Sequence, residues 1–257
     1  MANLQDLLTE LERHEDGDFD SAIWSDSNFT DEFFSEANRT LFDLEDELDF
    51  LRNLLDKGPF LDLGCGSGRL YKTLHKDFEG LALDISFQAL KTDSDGSDTT
   101  LLVQGDLNRL PVKGRFELII LGFGQICFLE RSAFEKLLNQ CKKLLKRGGH
   151  LVIDLPSIEY IQEMHGANEW QNVGEQLWFY SREYDPASAI FSQKLTRLCK
   201  STKVIETRSF SYQMYSLYEL LDLFNSQSYR VVYGSENYQQ SPIKEGSQWM
   251  IFALQKK

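Results

Sequence analysis

Phe60-Leu61-Asp62-Leu63-Gly64-Cys65-Gly66-Ser67-Gly68-Arg69 is the stretch on which the reading of this chain turns. Pro59–Leu63 reads as a buried strand, three glycines alternate with single residues, and Arg69–Lys76 has helical spacing. A strand running through such a turn into a helix lets a ligand approach the backbone closely, with helix N-terminal N–H groups aimed at it. The dinucleotide fingerprint requires glycine or alanine at its sixth position, where this chain has Arg69. That mismatch counts against NAD and FAD. The lysine of a P-loop is absent too, which counts against ATP.

Outward from the glycines, short apolar runs alternate with helical patterns. Leu81–Ile85 reads as a second strand, followed by a helix near Ser86–Lys91. A loop over 92–100 precedes a third strand, Leu101–Gln104, and Phe116–Leu121 forms a fourth. Ser132–Lys146 is an amphipathic helix stopped by Gly148-Gly149, and His150–Leu155 is a fifth strand. Strands alternating with helices imply a doubly wound α/β sheet of mostly parallel strands. Three strand-like stretches then follow without helices between them, Leu177–Tyr184, Ala189–Leu198 and Lys203–Tyr215. They predict an antiparallel β meander inserted at about 177–215. Alternation there sets Arg182, Glu183 and Gln193 among Trp178, Tyr180, Phe191 and Leu195, as one wet and one covered face require. A helix, Leu217–Phe224, and two strands, Tyr229–Tyr233 and Gln248–Leu254, come last.

Upstream, residues 1–57 read as an acidic helical N-terminal segment and 58–257 as the main domain. Leu41, Leu44, Leu48, Leu51 and Leu55 repeat at three and four, with Thr40 as the expected N-cap. The net charge of −13 is carried entirely by residues 1–57, with 17 acidic against 4 basic side chains; residues 58–257 hold 23 of each. No basic stripe exists to release counterions from a polyanion, so nucleic acid is not an expected partner. Cys65, Cys127, Cys141 and Cys199 are at least 14 residues apart, which leaves no close metal-ligand spacing. Sparse thiols, no basic-then-apolar leader and no run near the ~20 apolar residues of a membrane span point to a soluble, cytoplasmic protein.

The glycine stretch resembles the first motif of class I S-adenosylmethionine (SAM)-dependent methyltransferases, close to L-D-x-G-x-G-x-G. Companion segments stand in that family's order. Asp84 ends the second strand, Gln104-Gly105-Asp106-Leu107 follows the third, Phe116–Leu121 matches the fourth, and Leu144–Ile153 matches the post-helix glycine turn and fifth strand. The resemblance implies a seven-stranded sheet whose last strand runs antiparallel. It implies SAM as cofactor, leaving as S-adenosylhomocysteine, held by Asp62, Gly64, Cys65, Gly66, Gly68, Asp84, Ile85, Asp106, Leu107 and Leu121. Asp84 would hold both ribose hydroxyls, which suits a carboxylate because it only accepts hydrogen bonds and offers two oxygens. Asp106 would read the adenine amino group, or serve only as a turn residue.

The resemblance extends loosely to the small-molecule branch of that family. There an antiparallel insert roofs the substrate and an N-terminal helical segment closes over the cofactor. Trp24, Phe33, Gln125, Arg182, Arg208, Tyr212 and Tyr215 are the expected acceptor-lining residues; a dimer interface is the alternative use of the meander. Gly122-Phe123-Gly124-Gln125 replaces the Asn/Asp-Pro-Pro-Tyr/Phe of enzymes that methylate base or glutamine amino groups. Cys127 follows isoleucine, not the proline of cytosine-C5 enzymes, so it reads as packing, and Cys65 as a loop filler. His165 is the one histidine expected near the substrate mouth and the candidate general base. The expected reaction is in-line methyl transfer to an O or N atom of a small molecule, by a monomer or homodimer without metal. A SAM-binding regulatory or scaffold protein is the alternative.

Overall fold

A computed structural model describes residues 42–91, 102–164, 166 and 168–257. His165, Trp24, Phe33, Leu41, Thr40 and the 92–100 loop lie outside the described residues. The described chain forms two compact units, one of residues 42–160 and 215–257, the other Ile161–Met214.

The larger unit is built on a seven-stranded sheet. In chain order its elements are α1 (Leu44–Arg52), β1 (Phe60–Leu63), α2 (Arg69–Leu74), β2 (Gly80–Asp84), α3 (Phe87–Lys91), β3 (Leu102–Gln104) and β4 (Phe116–Leu121). A 3-10 turn (Gln125–Phe128), α4 (Arg131–Leu144) and β5 (Leu145–Pro156) follow, and α5 (Ile158–Met164) spans the division between the two units at Tyr160. After the four strands of the smaller unit, β6 (Glu169–Val173), β7 (Gln176–Asp185), β8 (Ile190–Cys199) and β9 (Ile205–Gln213), come α6 (Leu217–Ser226), β10 (Tyr229–Ser235) and β11 (Trp249–Lys256). The spatial order is β10-β11-β5-β4-β1-β2-β3. β1 to β5 are mutually parallel, and β11 runs antiparallel between β5 and β10. This is the expected doubly wound sheet with its antiparallel last strand. The order reverses between β1 and β4, and ligands of open α/β sheets sit at such a reversal, outside the carboxyl ends of the strands.

Local sequence explains the helices that flank it. α1 buries Leu48, Phe50 and Leu51 in one cluster with Phe60, Leu70, Tyr71, Leu74, Leu118 and Ile251. Each such side chain contributes about 1.5–3 kcal/mol on leaving water. Its cap is Asp43, whose carboxylate accepts from the Glu45 and Asp46 N–H groups, and not Thr40; the helix thus opens at Leu44. α4 buries Phe134, Leu137, Leu138 and Cys141, an i, i+3, i+4, i+7 stripe. It ends at Leu144, two residues before the expected stop, because strand pairing already begins at Leu145. The glycine turn falls inside β5 as an irregularity: Phe116 pairs Leu145 but Leu118 pairs His150, with Gly148 at φ +79° between. α6 is closed by a capping box, Ser216 with Glu219.

The smaller unit is a four-stranded antiparallel sheet, in the order β6 (Glu169–Val173), β7 (Gln176–Asp185), β8 (Ile190–Cys199) and β9 (Ile205–Gln213). The meander therefore has one strand more than expected, and its last strand stops at Gln213, short of Tyr215. The β7–β8 turn is held by Asp185, which accepts from the Ala187 N–H and the Ser188 hydroxyl. Register places Trp178, Tyr180, Arg182 and Tyr184 on one face with Phe191, Gln193, Leu195, Phe210 and Tyr212. Arg182 and Gln193 thus lie on the covered face, not the wet one: Arg182 stacks over Tyr180 and pairs with Glu169, and Gln193 is buried. Among the described residues no helix is long and apolar enough to cross a membrane.

Candidate active site

The glycine loop sits at the carboxyl end of β1, on the reversal of strand order. Gly64, Gly66 and Gly68 all have left-handed backbone, at φ +71°, +56° and +83°. Two of them answer to different constraints. A Cβ on Gly64 would collide with the Gln125 side chain, whose amide donates to the Gly64 carbonyl at 2.8 Å. A Cβ on Gly66 would meet nothing within 4 Å. Packing therefore does not require glycine there; open space lies over that residue.

Asp84 borders that space. Its Oδ2 accepts from the Gly66 N–H at 2.7 Å and its Oδ1 from the Ser86 N–H at 2.8 Å. Each oxygen keeps a second lone pair for an incoming hydroxyl. Burial raises the Asp84 pKa, and the two backbone donors oppose that shift. Asp62, buried on β1, is pushed up to about 7 by burial, with Arg69 opposing and Glu47 and Asp84 adding to it. Ile85 lends its carbonyl to the Gln104 amide at 3.1 Å. Asp106 is exposed and heads a turn, its Oδ1 accepting from both the Asn108 N–H and side-chain amide. Leu107 follows in that turn, and Leu121 is fully buried at the end of β4.

The structure brings Asp62, Gly64, Cys65, Gly66, Gly68, Asp84 and Gln125 together. Burial pushes the Cys65 and Cys127 thiols far up, which suits a loop filler and a packing residue and disfavours nucleophiles. Arg182, Arg208 and Tyr212 share one face of the antiparallel sheet. Tyr215 departs from expectation. It belongs to the larger unit, is 2% exposed, and packs its ring 5.7 Å from Phe134, so it is a core residue and not part of the meander. Among the described residues no His, Cys, Asp and Glu group could hold a metal ion.

Sequence reasoning missed a buried polar network beside the loop. Glu47 of α1, 1% exposed, accepts from Arg69 at 2.7 Å. Asp154 of β5, fully buried, accepts from Tyr238 Oη at 2.5 Å, Trp249 Nε1 at 3.1 Å and the Gly124 N–H at 3.2 Å. Burial raises both carboxyl pKa values, and these hydrogen bonds oppose the rise. The one sequence signal that could have found Asp154 is an acidic residue inside an apolar strand.

Comparison with known proteins bears on this geometry. Residues 60–149 match a family model described as a methyltransferase domain. A search of curated proteins by sequence finds no match. Among solved structures, an S-adenosylmethionine-dependent methyltransferase from Clostridium acetobutylicum superposes with a TM-score of 0.79 at 16% identity, over 89% of this chain and 98% of the other. SAM-bound CalS10, an amino pentose methyltransferase from Micromonospora echinaspora, gives 0.65 at 14% identity, over 100% and 98%. The sugar N-methyltransferase KedS8 from Streptoalloteichus gives 0.68 at 14%, over 88% and 92%. The 3-2-1-4-5 parallel half-sheets closed by an antiparallel strand, the open glycine cradle beside Asp84 and the domain match lead to one conclusion: the chain has the fold of the class I S-adenosylmethionine-dependent methyltransferases, and its residues 60–149 match a methyltransferase domain.

Proposed function

We propose that this chain transfers the methyl group of SAM to an O or N atom of a small-molecule acceptor by in-line displacement. The observation that carries the reading is Gly66. Its left-handed backbone, the unfilled space above it and its N–H bond to Asp84 form a cradle that packing alone does not call for. Gly64, Cys65, Gly66 and Gly68 offer backbone to the cofactor, Asp84 accepts from its ribose hydroxyls, and Asp62 gives a carboxylate to its ammonium group. Ile85, Asp106, Leu107 and Leu121 complete the nucleoside end.

When bound, SAM supplies a methyl group on a sulfonium whose departing thioether is neutral. The residues of the chain then have to fix the line of attack and keep water out, and such positioning lowers a barrier by several kcal/mol. Gln125 is held by the Gly64 carbonyl, so its side chain is preset at the exit of β4 where acceptor and cofactor meet. Two structural neighbours are described as amino pentose and sugar N-methyltransferases, which supports a small-molecule acceptor.

Calorimetry of S-adenosylhomocysteine on the parent and on Asp84→Ala tests the cofactor site. Charge-assisted hydrogen bonds contribute about 1.5–3 kcal/mol each, so affinity should fall at least about tenfold. Affinity within about twofold of the parent would sink the assignment. Transfer of labelled methyl from SAM to the small-molecule fraction of a cell extract, and not to its macromolecules, tests the acceptor class.

A further inference from the structure

Three half-buried aromatic rings meet at the carboxyl ends of β4 and β5. Phe123 follows β4, Trp249 opens β11 beside Pro156, and Phe42 precedes α1. The Phe123 and Trp249 centroids are 6.1 Å apart at a tilt of 36°, and Phe42 stands edge-on to Trp249 at 5.4 Å. The backbone makes an effort to present them. Phe123 is a bulky residue at φ +59°, followed by Gly124 at φ +67°. Such a conformation is unfavourable for a side chain with a Cβ and persists where its surroundings over-determine it. Here Asp154 over-determines it. The Gly124 N–H bonds the Asp154 carbonyl at 3.1 Å and its carboxylate at 3.2 Å, and that same carboxylate accepts from the Trp249 indole. One carboxyl group thus sets both rings of the shelf, and Tyr238 secures its other oxygen.

Charge around the shelf is one-sided. The buried or near-buried charged groups described on this side are Glu47, Asp62, Asp84 and Asp154, against Arg69 and Lys72. SAM adds a sulfonium, an ammonium and a carboxylate, a net of one positive charge, which leaves the balance negative. An anionic acceptor would be repelled, and a cation would find aromatic faces that attract it. Resting on the methyltransferase reading above, we propose that the Phe123–Trp249 shelf is the acceptor subsite and that it takes a small molecule bearing a protonated amine. Phe123 and Trp249 then set specificity by contact, and Asp154 acts as a positioning residue through them.

The test uses the full chain loaded with S-adenosylhomocysteine and three probes of one shape: benzylamine, benzyl alcohol and benzoate, titrated by calorimetry at pH 7.5. Benzylamine should bind about tenfold more tightly than the alcohol, with benzoate weakest, and Phe123→Leu should weaken it about fivefold. Trp249→Phe should do likewise, while S-adenosylhomocysteine affinity of both variants stays within about twofold, which also shows that they fold. Equal affinity for amine and alcohol, a preference for benzoate, no amine binding, or amine binding indifferent to Phe123→Leu would each overturn the proposal. Failure of S-adenosylhomocysteine to bind the parent would instead sink the cofactor reading, and benzylamine titrated into the unloaded chain would still report on the shelf.

Discussion

Arg69 Nη1 donates to Glu47 Oε2 at 2.7 Å, tying the first residue after the glycine loop to the buried face of the helix that precedes β1. The residue that spoils a dinucleotide fingerprint is thus a latch. Removing one partner of a buried ion pair leaves an uncompensated charge and costs about 3–5 kcal/mol, whereas replacing both by apolar groups is often close to neutral. Urea unfolding of Arg69→Met should show a loss of that order, and Glu47→Leu with Arg69→Met should recover most of it. A single variant as stable as the parent would show that the latch holds nothing.

Gly64 and Gly66 should separate stability from binding. Gly64→Ala meets both left-handed backbone and the Gln125 side chain, so it should lower the unfolding midpoint and disturb the loop. Gly66→Ala carries only the backbone penalty, roughly 1–2 kcal/mol, yet its methyl group enters the cradle. Its S-adenosylhomocysteine affinity should drop steeply while the fold survives. Normal affinity in Gly66→Ala would place the ligand elsewhere.

Asp62 should leave a mark on the pH dependence of stability. Burial pushes its carboxyl up to about 7, while in the unfolded chain it titrates near 3.9. Between those values the folded state binds the extra proton, so stability falls as pH rises through the window and levels off above about 7. The slope from this one group reaches up to about 1.4 kcal/mol per pH unit. Asp62→Asn should flatten the difference between pH 5 and pH 8 unfolding midpoints relative to the parent. In the same window, a cofactor ammonium held by Asp62 as proposed above should favour the ionised carboxylate, so calorimetric heats should vary with buffer ionisation enthalpy in the sense of proton release.

Cysteine reactivity should be confined to one site. Hydrogen bonds from Ser201 and Thr202 lower the Cys199 thiol to about 7, while burial pushes Cys141 up to about 12 and Cys65 and Cys127 further. Iodoacetamide at pH 7.5 should therefore label the native protein once, and Cys199→Ser should abolish the labelling. Modification at Cys127 or Cys141 without denaturant would contradict the burial that keeps them neutral.

How far the sequence disclosed all this varied with the range of the contacts. The parallel strands and the glycine loop were legible because apolar runs, glycine spacing and helix stripes are local signals. β6 was not, because Glu169–Val173 is exposed throughout; with neither face covered, no alternation marks it, and pairing to β7 alone defines it. Glu47 reads as one acid among many on α1 until the fold brings Arg69 to it from 22 residues away. Asp154 takes its partners from Tyr238 and Trp249, 84 and 95 residues along the chain, a distance at which no spacing rule operates. Tyr215 looked like the continuation of a strand, yet β9 stops at Gln213 and the ring turns into the core beside α4.

The place of β11, antiparallel between β5 and β10, bears on how the protein is born. Pro156 must wait for Trp249, and His150 for Gln255, before that side of β5 is covered. During synthesis every residue of the smaller sheet leaves the ribosome first, and through that interval β5 presents an open edge of unpaired N–H and C=O groups. Contacts so distant along the chain are slow to form, and an apolar edge held open is where nascent chains pair wrongly. Chaperone demand and loss to aggregation should therefore concentrate in that late interval, and a ribosome stalled shortly before residue 249 should hold a chain that is easily digested.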